Sequence, residues 1–222
     1  MNKITLIGID TAKSVFHMVG IDRHGKYVWR KKVTRRKLVS TLAQLEPCKV
    51  VLEACGASYH WARQINAGGH DARLIAPQHV KPYRRGQKND YRDAEAIISA
   101  SLSPGIHFVG IKTTGQQAEQ ALHRVRSRLL SHCNAAANEL RGLLGEYGCT
   151  FALGHKALRA GALAFIDSGQ AEALGLVELI TDVLEEMVHL EQRLQHYERQ
   201  IEQRVKVDAV SSRMREELSG VG

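Results

Sequence analysis

Two acids, Asp90 and Asp93, stand three positions apart inside a segment crowded with cations, PQHVKPYRRGQKNDYRDAEAI at residues 77–97. Lys81, Arg84, Arg85, Lys88 and Arg92 surround them. A solvated helix face scatters its charges, whereas a site that handles phosphate through a metal ion needs both signs together. Two further acids are suggestively placed. Asp10 ends the apolar stretch KITLIGID, and Glu53 closes CKVVLEACG just before Gly56. Residues three apart on a helix project from one face, so Asp90 and Asp93 act as a pair. Carboxylates gathered at one point repel each other strongly unless divalent cations neutralise them. Oxygen donors without His or Cys specify Mg²⁺ or Mn²⁺. Two such ions, roughly 3.5–4 Å apart, clamp the attacking and leaving oxygens of a phosphoryl transfer. Each acid also has a plainer reading. A strand-end Asp is a turn former, Glu53 a simple strand exit, and Asp90 and Asp93 first-turn acids favoured by the helix dipole.

The elements that must position these acids follow from hydrophobic period and punctuation. Residues 3–10 read as a buried strand, and 14–22 and 26–33 as a hairpin about the turn RHG. Residues 34–45, with Thr34 in cap position, read as a helix. A strand over 48–56, a helix over 57–69 with a glycine stop, a strand over 71–77 ended by proline and a helix over 90–102 complete the front part. Three consecutive antiparallel strands followed by alternating helices and strands predict an α/β fold of the ribonuclease-H-like type, a mixed sheet with helices on both faces. In that order the first and fourth strands are neighbours, the 90–102 helix crosses near their ends, and all the acids named above can meet. No Gly-rich dinucleotide or P-loop fingerprint follows the first strand.

From residue 116 the pattern changes. Apolar residues at 118, 122, 125, 129, 133, 136, 140, 143 and 147 recur at about the helical period, predicting one long amphipathic helix over 116–147. A glycine-punctuated linker over 148–169 leads to a second long helix over about 170–206. There the repeat tightens to seven, with Ile180, Met187, Leu194 and Ile201 in one register and Val183, Leu190 and Tyr197 in the other. That seam suits a short coiled coil between chains or packing on the earlier long helix of the same chain. The organisation expected is thus a catalytic domain over 1–115, helices over 116–206 and the start of a further domain over 207–222.

Charge sharpens the division. Residues 1–130 hold 22 Lys/Arg against 9 Asp/Glu, residues 131–222 hold 9 against 14, and the whole chain carries a formal +8. A basic front half implies a polyanion partner. Cys48, Cys55, Cys133 and Cys149 show neither C-x-x-C spacing nor a zinc set and read as reduced thiols. No stretch approaches the ~20 apolar residues of a membrane span, and the N-terminal apolar run is too short for a signal peptide. A cytoplasmic protein, in a prokaryotic cytosol or nucleoid, is expected.

GIDTAK, LEACG, PQHVKPYRRGQKNDYRDAEAI and the downstream LSGVG resemble the DEDD-type insertion-sequence transposases, recombinases with a Holliday-junction-resolvase (RuvC-like) catalytic domain guided by a bridge RNA. The resemblance runs in order through residues 4–102. It implies that Asp10, Glu53, Asp90 and Asp93 are the catalytic and metal-binding acids, holding Mg²⁺ or Mn²⁺ as two ions. It implies DNA (element ends and target), a guide RNA and further copies of the chain, joined through the helical extension, as partners. In the family a C-terminal domain contributes a serine nucleophile. Ser211, Ser212 and Ser219 lie too early to match it, so no residue here takes that role and a chain shortened before that domain is expected.

Lys81, Arg84, Arg85, Lys88 and Arg92 are candidates for backbone phosphates, with Tyr83 available for stacking and Lys13 matching the D-x-A-K of the family. Arg30, Lys31, Lys32, Arg35, Arg36 and Lys37 form a second basic cluster, or a solvated rim. His17, His60 and His79 lack partners at ligand spacing and read as surface or core histidines. Three other functions remain open: a junction-resolving nuclease using water, an actin- or sugar-kinase-like ATPase, and a non-catalytic nucleic-acid-binding or dimerising fragment. The ATPase would need glycine-rich phosphate loops, which the sequence lacks.

Overall fold

A computed structural model describes residues 3–11, 14–84 and 90–207; of residues 90 and 207 only the backbone is described. The chain forms two compact units, 1–113 and 114–222.

The first unit is built on strands β1 (Leu6–Thr11), β2 (Val15–Ile21) and β3 (Tyr27–Thr34), then helix α1 (Leu38–Leu42), β4 (Lys49–Glu53), α2 (Ser58–Ala67), β5 (Asp71–Ile75), the single turn α3 (Pro77–Val80), α4 (Asp90–Ser101) and β6 (Phe108–Val109). The sheet order is β3-β2-β1-β4-β5-β6. β1, β2 and β3 run antiparallel, β4 lies parallel to β1, and β5 lies parallel to β4. This is the α/β, ribonuclease-H-like sheet order, with helices on both faces. The short sixth strand, antiparallel to β5, has no sequence signal because two residues are too few to show a period. The helix expected over 34–45 is shorter. Thr34 makes no side-chain cap, and a 3₁₀ turn over Arg35–Lys37 precedes α1.

Alternation along the strands sorts two cores. Ile7, Ile9, Phe16, Met18, Val50, Leu52 and Leu74 pack with Leu38, Trp61 and Ile65 on one face. Leu6, Val19, Ile21, Val51 and Ile75 pack with Val80, Ala94, Ile97 and Ile98 on the other. Because strand side chains alternate, Gly8, Asp10, His17 and Glu53 all belong to the second face, beneath α4. Gly8 is what lets that helix in. A Cβ there would stand 2.4 Å from the Ala94 carbonyl oxygen and 2.7 Å from Ile98 Cγ1.

The second unit comprises α5 (Thr114–Gly145), α6 (His155–Asp167), α7 (Gln170–Ala173) and α8 (Val177–Val207). The stretch expected to be a linker contains α6, and the single helix expected from about 170 is divided before Val177. Glycine has two roles in this. Gly154, Gly169 and Gly175, at positive φ, punctuate the helix ends. Gly161, inside α6, lies under the Phe151 ring, 2.4 Å from where its Cβ would be, so it is a packing residue rather than a breaker. The seven-residue seam of α8 is filled from within the chain. Leu190, Leu194 and Tyr197 pack with Val125, Leu129 and Cys133 of α5. Arg126–Glu198 at 2.7 Å and Arg204–Glu119 at 2.7 Å fix the two helices antiparallel. All four cysteines are free thiols. No helix among the described residues is long and apolar enough to cross a membrane.

Candidate functional site

The parallel register of β1 and β4 pairs Ile9 with Leu52, so the next residues, Asp10 and Glu53, fall side by side where the two strands end. Both project to the α4 face for the reason of period given above. α4 then supplies Asp93 one residue before Ala94, whose carbonyl lies over Gly8. Three acids from three separated segments therefore share one corner of the sheet. Burial pushes the Asp10 carboxyl above its ordinary value, and the negative charges of Asp93 and Glu53 push it further; Arg84 and His17 pull it back. That mutual influence marks Asp10, Glu53 and Asp93 as one electrostatic group.

Arg84 closes the group. Its guanidinium donates to Glu53 through Nη2 and forms an ion pair with Asp93, Nε lying 3.1 Å from Oδ1. A well-anchored loop delivers it. Val80 is fully buried, Lys81–Tyr83 form a 3₁₀ turn, the Arg84 amide donates to the Lys81 carbonyl at 3.2 Å, and the Tyr83 hydroxyl meets Ser103 Oγ at 2.7 Å. Tyr83, expected as a stacking platform, is thus tethered at its hydroxyl, the residue being 36% exposed. Lys81 and Arg92 lie on the surface. Asp90 opens α4, three residues before Asp93, and its side chain is outside the described set, as are Lys13, Arg85 and Lys88.

Sequence reasoning missed three contributors. His17, 5% exposed, is the cross-strand partner of Asp10 and meets Tyr91 of α4 edge-on at 5.1 Å. The register of the β1–β2 hairpin was the signal that could have paired it with Asp10. Gly8 sits two residues before the acid in GID, and its need for a close helix becomes visible only once α4 is known to cross there. The pairing of Arg84 with the acids has no sequence signal beyond its sign. Of the second basic cluster, Arg30 pairs with Glu95 of α4 at 2.6 Å and Arg35 stacks over Trp61 at 5.1 Å, while Lys31, Lys32 and Arg36 are exposed. His60 and His79 are exposed.

The donor chemistry fits a hard divalent cation: three carboxylates cluster, with the single imidazole of His17 beside Asp10. Among the described residues, however, no three acids stand assembled around one ion position. Glu53 and Asp93 are engaged by Arg84 instead.

A "Probable family 20 transposase" of Pseudomonas aeruginosa is 41% identical over 216 residues, 95% of this chain and 63% of that protein. The transposase for insertion sequence element IS1111A of Coxiella burnetii is 39% identical, over 100% of this chain and 61% of that one. The transposase for IS1328 of Yersinia enterocolitica is 35% identical, over 96% and 64%. The chain thus spans a little under two thirds of the length of these relatives. Among solved structures, T. thermophilus RuvC in complex with a Holliday junction substrate aligns with a TM-score of 0.38 at 12% identity, covering 48% of this chain and 99% of that one. The family model DEDD_Tnp_IS110, described as "Transposase", matches residues 7–149, more than half of the chain, and the chain belongs to that family.

Proposed function

We propose that this chain carries the metal-dependent catalytic part of a DNA transposase, acting on phosphodiester bonds during movement of an insertion sequence. The observation that carries the reading is the convergence of Asp10, Glu53 and Asp93 from β1, β4 and α4 into one electrostatic group. Asp10, Glu53 and Asp93, with Asp90 one helical turn earlier, would hold Mg²⁺ or Mn²⁺, as two ions. Such ions, when bound, neutralise the developing charge on a transferring phosphate and lower the pKa of an attacking hydroxyl.

The residues of the chain do the rest. The ends of β1 and β4 fix two carboxylates on rigid backbone, and α4, seated on Gly8, fixes a third. Rigid placement of donors is what lets a site complement a transition state rather than follow the substrate. His17, the cross-strand partner of Asp10, is held edge-on against Tyr91 of α4. Lys81 and Arg92, exposed beside the site, and Lys31, Lys32 and Arg36 at the sheet edge offer charge to a phosphate backbone. Lys13, Arg85 and Lys88 add to it through the sequence. The same surface would accept a structured guide RNA, and copies of the chain would meet on faces of α5 and α8 outside the seam these helices share, where Leu130 and Val188 are exposed.

The test is calorimetric titration of Mg²⁺ into the chain and its Asp10→Ala, Glu53→Ala and Asp93→Ala variants, beside cleavage of labelled element-end DNA with and without RNA. The reading expects binding in the parent, with each alanine weakening it at least tenfold while the fold persists. Unchanged affinity in all the variants would remove the metal site. Intact metal binding without any DNA cleavage would leave a binding fragment.

A further inference from the structure

Inside the acid group one cation already sits. Arg84 grips Glu53 with one guanidinium nitrogen and Asp93 with another, and its charge counters the repulsion that burial, Asp93 and Glu53 impose on Asp10. Its side chain is 42% exposed, against 17% for Glu53 and 22% for Asp93, so it covers the acids from the solvent side. The loop that presents it is tied down by buried Val80 and by Tyr83–Ser103. A planar fork with fixed donors can bridge two carboxylates in this way, and an ammonium point charge cannot match it.

We infer that Arg84 is an internal counter-cation which holds the acid cluster together until a divalent ion replaces it, so that ion entry and Arg84 release are a single exchange. The inference rests on the metal-holding role proposed above for Asp10, Glu53 and Asp93. A guanidinium N–H occupies a carboxylate lone pair, and an incoming ion needs lone pairs of the same groups. Two of the three described acids are engaged by Arg84, and no three described acids are assembled as ligands. The ion must therefore take Glu53 and Asp93 from the guanidinium. The arrangement trades metal affinity for stability of the metal-free chain, since without Arg84 three neighbouring carboxylates would face each other uncompensated.

The experiment measures Mn²⁺ affinity by electron paramagnetic resonance and thermal unfolding in chelator, on the 222-residue chain and on Arg84→Ala, Arg84→Lys and Lys26→Ala. Arg84→Ala is expected to bind Mn²⁺ roughly tenfold tighter, the size of a one-unit change in an ionic interaction. It should also melt lower in chelator and gain more from saturating Mn²⁺ than the parent does. Arg84→Lys keeps the charge but not the fork, and is expected to bind Mn²⁺ more tightly than the parent and less tightly than Arg84→Ala; it carries the test if the alanine variant does not fold in chelator. Lys26→Ala, exposed in the turn between β2 and β3 at the far end of the sheet, should match the parent. Equal or weaker Mn²⁺ binding in both Arg84 variants overturns the exchange while leaving the metal reading intact. Absence of Mn²⁺ binding in every chain, the parent included, overturns both.

Discussion

The two units use the same charged residues to opposite effect. In the helical unit three acids meet cations across helix seams. Glu198 takes Arg126, Glu119 takes Arg204, and Glu191 takes both Arg159 and His155, at 2.7–3.1 Å. At one corner of the otherwise basic sheet unit the ratio is inverted, with Asp10, Glu53 and Asp93 set around one guanidinium. Pairing of the first kind closes a helix–helix interface and asks nothing further. An excess of acids over cations is a standing cost to the folded chain, and a ligand of positive charge relieves it. The proposed site therefore lies where one guanidinium faces three acids, while the ion pairs of the helical unit join helix to helix.

The largest effect that sharpens this contrast comes from glycine. Gly8→Val would drive a branched side chain into the Ala94 carbonyl and Ile98, lifting α4 and Asp93 off the sheet. Overpacking of this kind costs ~1–3 kcal/mol or more, and urea unfolding should show it together with loss of metal binding. Gly142→Ala in α5, where an added Cβ meets nothing within 4 Å, should instead stabilise by roughly 0.5–1 kcal/mol through helix propensity. If both glycines tolerate substitution equally, Gly8 does not seat the helix.

Removing an acid comes next in size. In the metal-free chain at neutral pH, Asp10→Asn should raise the melting temperature, because it deletes one member of a repelling set. Glu191→Gln should lower it, at a cost of about 1 kcal/mol in stability, because Arg159 and His155 lose their partner. The pH dependence of the Asp10 effect carries a definite sign. Its folded-state pKa lies above the ordinary value of 3.8, so the ionised form costs stability at neutral pH. That cost is relieved as pH falls through the folded pKa and is gone below the unfolded one. Chelator-treated parent should gain relative to Asp10→Asn on mild acidification. A difference that stays flat between neutrality and the carboxylate range would show Asp10 to be electrically ordinary.

The smallest effect is at the surface. Lys81→Ala should weaken DNA or RNA binding modestly at every sequence and reduce the slope of log affinity against log salt by about 1. An unaltered slope would take Lys81 out of the phosphate path.

Much of the sheet unit was legible because its information is periodic. Alternation in LIGID and KVVLE set which side chains face α4, and the order of strands and helices set which ends are neighbours. The proximity of Asp10, Glu53 and Asp93 followed from those two facts. What escaped was what depends on three-dimensional approach. The stretch 148–169 read as a glycine-punctuated linker because a sequence does not reveal the ring of Phe151 above Gly161. The α8 heptads fitted a partner chain and an internal helix equally well, and α5 fills them. Arg84 was expected to face phosphate, and the loop that turns it onto Glu53 and Asp93 is fixed by Tyr83 and Ser103, twenty residues apart.

The most direct test of the carboxylate cluster is crystallographic: anomalous scattering from crystals of the chain grown with Mn²⁺. The account predicts a peak about 2.1 Å from a carboxylate oxygen of Asp10, shared with Glu53 or Asp93, with Arg84 swung away from at least one of them. A fully occupied Mn²⁺ position elsewhere, with Arg84 still bridging Glu53 and Asp93 and Asp10 unliganded, would contradict it.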